Sequence, residues 1–206
     1  LMWEATGAVL AGGKNSRMHK NKALLVFENQ TLLSRSLDKL RKLFTEVVVV
    51  CNQKDQYNLP GIVEITDLYP GYGPLGGVHA ALKRASYERI FITACDLPFW
   101  ELEVADFLMG ACTGYDGVVP RMGNYLEPLL AVYTQRCLPA IEDCLNKKIL
   151  RTTSFFPAVK INYIDRNLLR DICQPAKTFY NINTPGDFSK IKDQMDNEIF
   201  FPGRCK

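Results

Sequence analysis

Gly12 and Gly13 follow the apolar run of residues 8–10, and Lys14, Arg17, Lys20 and Lys22 follow close behind them. Glycine has no Cβ, so the backbone can turn sharply there and offer N–H groups to an anion. The clustered cations match the charge of a nucleoside triphosphate. The pattern predicts a phosphate cradle at the carboxyl end of a buried strand, although the spacing alone also describes a turn with solvated lysines. It is neither G-x-x-x-x-G-K-[ST] nor a dinucleotide fingerprint.

Asp96 follows a second strand pattern, residues 89–95, and precedes Leu97-Pro98. A carboxylate beside a triphosphate suits Mg²⁺; a turn or cap role is the alternative. Asn181 and Asn183, two residues apart, share a side of an extended backbone. They can meet a metal, an acceptor or a phosphate, or serve the turn at Thr184-Pro185. The segment 71–77, with Gly73, Pro74 and Leu75, lets a planar base lie against backbone or is simply an irregular loop. Asp67 either reads a base N–H or caps a turn. His19 and His79 read as solvated or packed, and Cys95 as a buried strand residue rather than a nucleophile.

These residues need elements to carry them. Strand patterns cover residues 8–10, 46–51, 62–65, 89–95, 117–119, 129–133 and 159–164. The four consecutive valines of residues 47–50 describe a strand buried on both faces. Helices are predicted over residues 31–43, 101–111 and 135–145, and after Gly77. Thr31 caps the first of these, and Leu33, Leu37, Leu40 and Phe44 form its apolar face. Thr184-Pro185-Gly186-Asp187 reads as a further helix start. Alternating strands and helices imply a mostly parallel sheet covered on both sides, with ligands bound at the carboxyl ends of the strands. One domain over residues 1–197 is expected, followed by a tail at 198–206.

Composition narrows the classes. The chain has 206 residues and a formal net charge of +3, too little to argue for nucleic acid or an anionic membrane. Lys39, Arg41 and Lys42 read as the solvated face of a helix. The seven cysteines show no C-x-x-C pair, so reduced thiols in a cytoplasmic protein are expected. No basic region followed by an apolar stretch marks the start, and no apolar run is long enough to span a bilayer.

Leu10-Ala-Gly-Gly-x-x-Ser-Arg-Met18, Lys22, Pro70-Gly-x-Gly-Pro-Leu-x-Gly77, Cys95-Asp-x-Pro98 and Asn181-x-Asn-Thr-Pro185 occur in that order. Together they resemble the molybdenum cofactor guanylyltransferase (MobA) family. The resemblance implies a three-layer α/β/α fold, Rossmann-like, of the nucleotide-diphospho-sugar transferase type. It implies transfer of GMP from GTP to Mo-molybdopterin, with Mg²⁺, or Mn²⁺ in its place, and with molybdenum-insertion and molybdoenzyme-specific accessory proteins as partners. By position, Leu10, Ala11, Gly12 and Gly13 would line the nucleotide with Gly73, Pro74 and Leu75. Lys22 and Arg17 would meet the triphosphate, Asn52 and Asp67 the guanosine, and Asp96 with Asn183 the metal. Two positions depart from the family pattern: His19 stands where Gly is usual, and Asn21 where Asp is usual. Arg121, Glu127 and Arg151 fall where an acceptor could be gripped. Cytidylyl or other nucleotidyl transfer, and a GTP-binding delivery protein without catalysis, are the competing readings.

Overall fold

The computed structural model describes residues 2–12, 21–182 and 186–187. The expectations placed on Gly13, Lys14, Arg17, His19, Lys20, Asn183, Thr184, Pro185 and the tail at 198–206 lie outside the described residues. The chain runs β1 (Trp3–Leu10), β2 (Val26–Phe27), β3 (Gln30–Thr31), α1 (Leu32–Leu43), β4 (Phe44–Cys51), β5 (Val63–Thr66), α2 (Pro74–Arg84) and β6 (Arg89–Ala94). It continues through α3 (Leu102–Gly110), β7 (Gly117–Met122), β8 (Tyr125–Leu126), β9 (Leu130–Thr134), α4 (Leu138–Asn146), β10 (Ile161–Asp165), α5 (Arg166–Leu169) and α6 (Pro175–Thr178).

The main sheet has the order β10-β7-β9-β6-β1-β4-β5, with β8 beside β7. β5, β4, β1 and β6 run parallel, whereas β9 is antiparallel to both β6 and β7. The sheet is therefore mostly parallel but mixed. β9 is reached from β7 through the β8 hairpin rather than through a crossover helix, so it must return in the opposite direction.

Side chains of each strand alternate between two cores. Val49 faces the layer of α1 and α3, with Leu33, Leu37, Leu40, Val104 and Leu108. Val48 and Val50 face the layer of α2 and α4, with Leu75, Val78, Leu82, Ile141 and Leu145. This is why the valines run without a polar break: from Val48 to Cys51 β4 is buried on both faces, while Thr45 at its start is exposed. Each of these leucines removes apolar surface worth about 1.5–3 kcal/mol.

Thr31 caps α1 as the sequence predicts, its hydroxyl accepting from Ser34 N at 3.0 Å. Phe44 is not on the helix face; it starts β4 and packs on Phe91 with ring centroids 5.5 Å apart. β1 begins five residues before the apolar run at 8–10, because Glu4, Thr6 and Gly7 hide its pattern. Gly7 is required by packing: a Cβ there would lie 2.7 Å from the Phe44 ring. The helix predicted at 135–145 starts as a 3-10 turn, Gln135–Cys137, before α4.

Candidate functional site

The four parallel strands end on one edge, and candidate residues follow each end: Ala11 and Gly12 after β1, Asn52 after β4, Asp67 after β5 and Asp96 after β6. Residues scattered over much of the chain are thereby collected on one rim, where open α/β sheets bind ligands.

At β1, the structure corrects one expectation. Gly12 N–H does not point bare toward an anion: it donates to Val50 O at 3.1 Å, and Ala11 N donates to the same oxygen at 2.8 Å. The sheet ladder thus continues past the strand. What Gly12 supplies is room, since a Cβ would lie 2.7 Å from Asn52 Oδ1. Leu10 is buried and packs toward Gly77.

Asp67 is arranged in a similar way. Its Oδ1 accepts from Tyr69 N at 2.7 Å, so it does cap its turn. A Cβ on Gly76 would lie 2.7 and 2.8 Å from its two oxygens, so the carboxylate rests directly against the first turn of α2. Burial raises its carboxyl above the usual range, and the Tyr69 hydrogen bond opposes this. Gly73 precedes α2 with φ of 69°, a conformation glycine tolerates and other residues rarely adopt. Pro74 opens the helix. Leu75 is fully buried in the α2–α4 core, so only its backbone is available to a ligand.

Asp96 lies in the turn after β6, and its Oδ2 is 3.3 Å from Lys22 Nζ. Among the described residues, Asp96 Oδ1 has no hydrogen-bond partner. Asp96 O accepts from Ile182 N at 2.9 Å, which brings half-buried Asn181 to the same turn. A small apolar cluster of Phe27, Leu32, Phe99 and Ile182 fastens the β2–β3 hairpin, α1, the Asp96 loop and the C-terminal segment together. Phe27 and Phe99 meet edge to face at 5.7 Å. Burial, then the charge of Asp96, raises the Glu127 carboxyl to about 7, so Glu127 faces this region too.

Other sequence readings fare differently. Cys95 is buried with its thiol pushed up to about 12, as fits a structural residue. His79 is packed, with Nε2 3.1 Å from Glu142 Oε1. Arg121 is occupied by Asp165 through contacts of 2.7 and 2.9 Å, and Arg151 is exposed. Lys39 is not solvated: its Nζ donates to Pro98 O at 2.9 Å and Trp100 O at 2.5 Å, gripping the loop that carries Asp96. Sequence reasoning passed over Tyr57, whose hydroxyl reaches Ala11 O at 2.8 Å. Nothing in its sequence neighbourhood marks it, because Ala11 and Asn21, which its hydroxyl meets, are distant in the chain.

A model of the MobA-like NTP transferase domain family matches residues 7–156. A probable molybdenum cofactor guanylyltransferase from Pelotomaculum thermopropionicum is 37% identical over 196 residues, covering 95% of this chain and 96% of that protein. A molybdenum cofactor guanylyltransferase from Desulfosudis oleivorans is 34% identical over 189 residues, covering 91% and 94%. The crystal structure of molybdopterin-guanine dinucleotide biosynthesis protein A from Archaeoglobus fulgidus superposes with a TM-score of 0.82 at 27% identity, covering 93% of this chain and 99% of that one. The fold alone is shared with a Francisella tularensis 2-C-methyl-D-erythritol 4-phosphate cytidylyltransferase, at a TM-score of 0.69 and 13% identity.

Proposed function

The chain belongs to the MobA-like NTP transferase family, and we propose that it transfers GMP from GTP to the phosphate of Mo-molybdopterin. A phosphate oxygen of the acceptor attacks the α-phosphorus. The bond from that phosphorus to the β-phosphate bridge breaks, and pyrophosphate leaves. Little covalent chemistry is asked of the protein in such a transfer, so positioning and electrostatics carry the rate.

The observation that carries this reading is the Lys22–Asp96 pair on the rim where four strand ends converge. Lys22 neutralises charge on the leaving pyrophosphate, with Arg17 as its second cation. Asn52 and Asp67, each seated against a glycine, bind the guanosine. Backbone of Gly12 and of residues 73–75 lies against the nucleotide.

The donor set fits Mg²⁺. Among the described residues Asp96 Oδ1 has no hydrogen-bond partner, and Asn181 directly precedes Ile182, whose N–H donates to Asp96 O. Mg²⁺ uses one or two carboxylates together with substrate phosphates, so the absence of a three-ligand cluster among the described residues is no obstacle. Asp96, with Asn183 or Asn181, would hold the ion, which would supply neutralisation of phosphate charge. Molybdenum-insertion and molybdoenzyme-specific accessory proteins are the partners this reading implies. Among the described residues no helix is long and apolar enough to cross a membrane.

Pyrophosphate release measured with GTP, CTP, ATP and UTP, with and without molybdopterin, tests the assignment. Release is expected with GTP and acceptor together. Comparable release with CTP would reassign the base, and GTP binding without release would make the protein a carrier.

A further inference from the structure

We propose that Tyr57 and Asn21 form a clasp that links Ala11 at the end of β1 to Asn21 and thereby sets Lys22 against Asp96. Both are positioning residues, and the role in catalysis rests on the reading of the site given above. Ala11 precedes and Asn21 follows the glycine-rich, basic segment of the sequence. The Tyr57 hydroxyl touches both: it is 2.8 Å from Ala11 O and 3.1 Å from Asn21 Nδ2.

Donor and acceptor bookkeeping makes the arrangement specific. Tyr57 has one hydroxyl proton. Ala11 O at 2.8 Å outcompetes Asn21 Oδ1 at 3.4 Å for it. The phenolic oxygen must then accept, and it does so from Asn21 Nδ2 and from Gln56 Nε2 at 3.2 Å. Asn21 Oδ1 is committed in turn to Ala23 N at 3.1 Å, which fixes the amide orientation and caps the 3-10 turn Lys22–Leu24. Position 21 therefore needs one donor and one acceptor. An aspartate would keep the cap but has no N–H for the phenolic oxygen, and its carboxylate would compete with Ala11 O for the single phenolic proton, so the link to one of the two would be lost. The amide at position 21 is what the clasp requires.

The clasp is anchored rather than free. Tyr57 N and Leu59 N donate to the two oxygens of Glu64 on β5, at 3.0 and 3.2 Å. Gln56 Oε1 accepts from Asn52 N and Gln53 N at 3.1 and 3.3 Å. The same segment thus holds Asn52 beside Gly12 and Tyr57 between Ala11 and Asn21. Burial pushes the Tyr57 hydroxyl up to about 12, so it remains a donor at neutral pH. Fixing Asn21 in advance reduces the cost of ordering the neighbouring Lys22 when substrate binds.

The test compares Tyr57→Phe, Asn21→Asp and the double variant with the unaltered enzyme. Three readouts are taken: KM and kcat for GTP-dependent pyrophosphate release, tryptic cleavage after Lys14, Arg17 and Lys20, and the urea unfolding midpoint. Each single variant should raise KM for GTP about five- to twentyfold, with a smaller fall in kcat and faster cleavage at those bonds. The double variant should be no worse than the more affected single one, since both break one linkage. A shared fall in the unfolding midpoint with KM and cleavage unchanged would overturn the clasp as a positioning device. So would additive effects on KM. Should the unaltered enzyme release no pyrophosphate from GTP, the functional reading fails, while the tryptic comparison still decides whether Ala11 and Asn21 are linked.

Discussion

Asp96 and Asp67 occupy equivalent places, just beyond the carboxyl ends of parallel strands on one rim, yet their surroundings differ. Asp96 faces the ammonium of Lys22 and keeps an oxygen without a hydrogen bond among the described residues. Asp67 accepts a backbone N–H and lies flush against Gly76, with burial working against its charge. A carboxylate with a cation partner and a spare oxygen is suited to handling phosphate charge. One pressed against a helix start is a shaped acceptor, suited to telling one base from another. Position on the rim is common to both; what differs is the environment.

The comparison breaks most sharply at Asp96. Asp96→Ala should lower kcat for pyrophosphate release by about 10²–10⁴-fold, the scale of losing a preorganised electrostatic group. Its circular dichroism should match the unaltered enzyme, because the side chain is not part of the core. Turnover within about threefold of normal would remove Asp96 from the chemistry.

Asp67→Asn should act on the other quantity, raising KM for GTP by about tenfold with kcat nearly preserved. Gly76→Ala sharpens this further. Its methyl would sit 2.7 and 2.8 Å from the carboxylate oxygens, so Asp67 must move and the KM effect should match that of Asp67→Asn. In an Asp67→Ala background the same substitution should be nearly silent, since little remains for the methyl to strike. An undiminished effect there would show that Gly76 serves something other than Asp67.

How much of this was legible in sequence depends on the range of the interaction. The carboxyl ends of β1, β4, β5 and β6, the run of valines in β4 and the Thr31 cap follow from local pattern, and the structure places each within a residue of where that pattern implies; Asn52 is named only through the family resemblance. The fate of the Gly12 N–H was not legible, because its acceptor, Val50 O, belongs to a neighbouring strand. Nor was the return direction of β9, which depends on the β8 hairpin. Lys39 shows the same limit for charge. Within helix-period reasoning a lysine flanked by Arg41 and Lys42 is solvent-facing, and only the loop arriving from β6 gives its ammonium two carbonyls and the Trp100 ring, 5.0 Å away.

Lys39 yields the smallest expected effect and the one most specific in sign. Its pKa is lowered from 10.5 to about 8, chiefly by burial and then by Arg35; Lys177 and Lys42 add to the shift and Glu101 opposes it. Below pH 8 the ammonium is present in folded and unfolded chains alike, and the cost of burying it is carried in full. Between pH 8 and 10.5 the unfolded chain holds a proton that the folded one has released, so the contribution of Lys39 to stability rises with pH. Lys39→Met lacks this dependence while keeping most of the apolar stem. Urea unfolding at pH 7 and pH 10 should therefore show the unaltered protein gaining on the variant by about 1–3 kcal/mol. Other groups that titrate in this range cancel in the difference. Parallel pH curves would mean that the ammonium is as well solvated by Pro98 O and Trp100 O as by water, and the grip on the Asp96 loop would then hold equally at either pH.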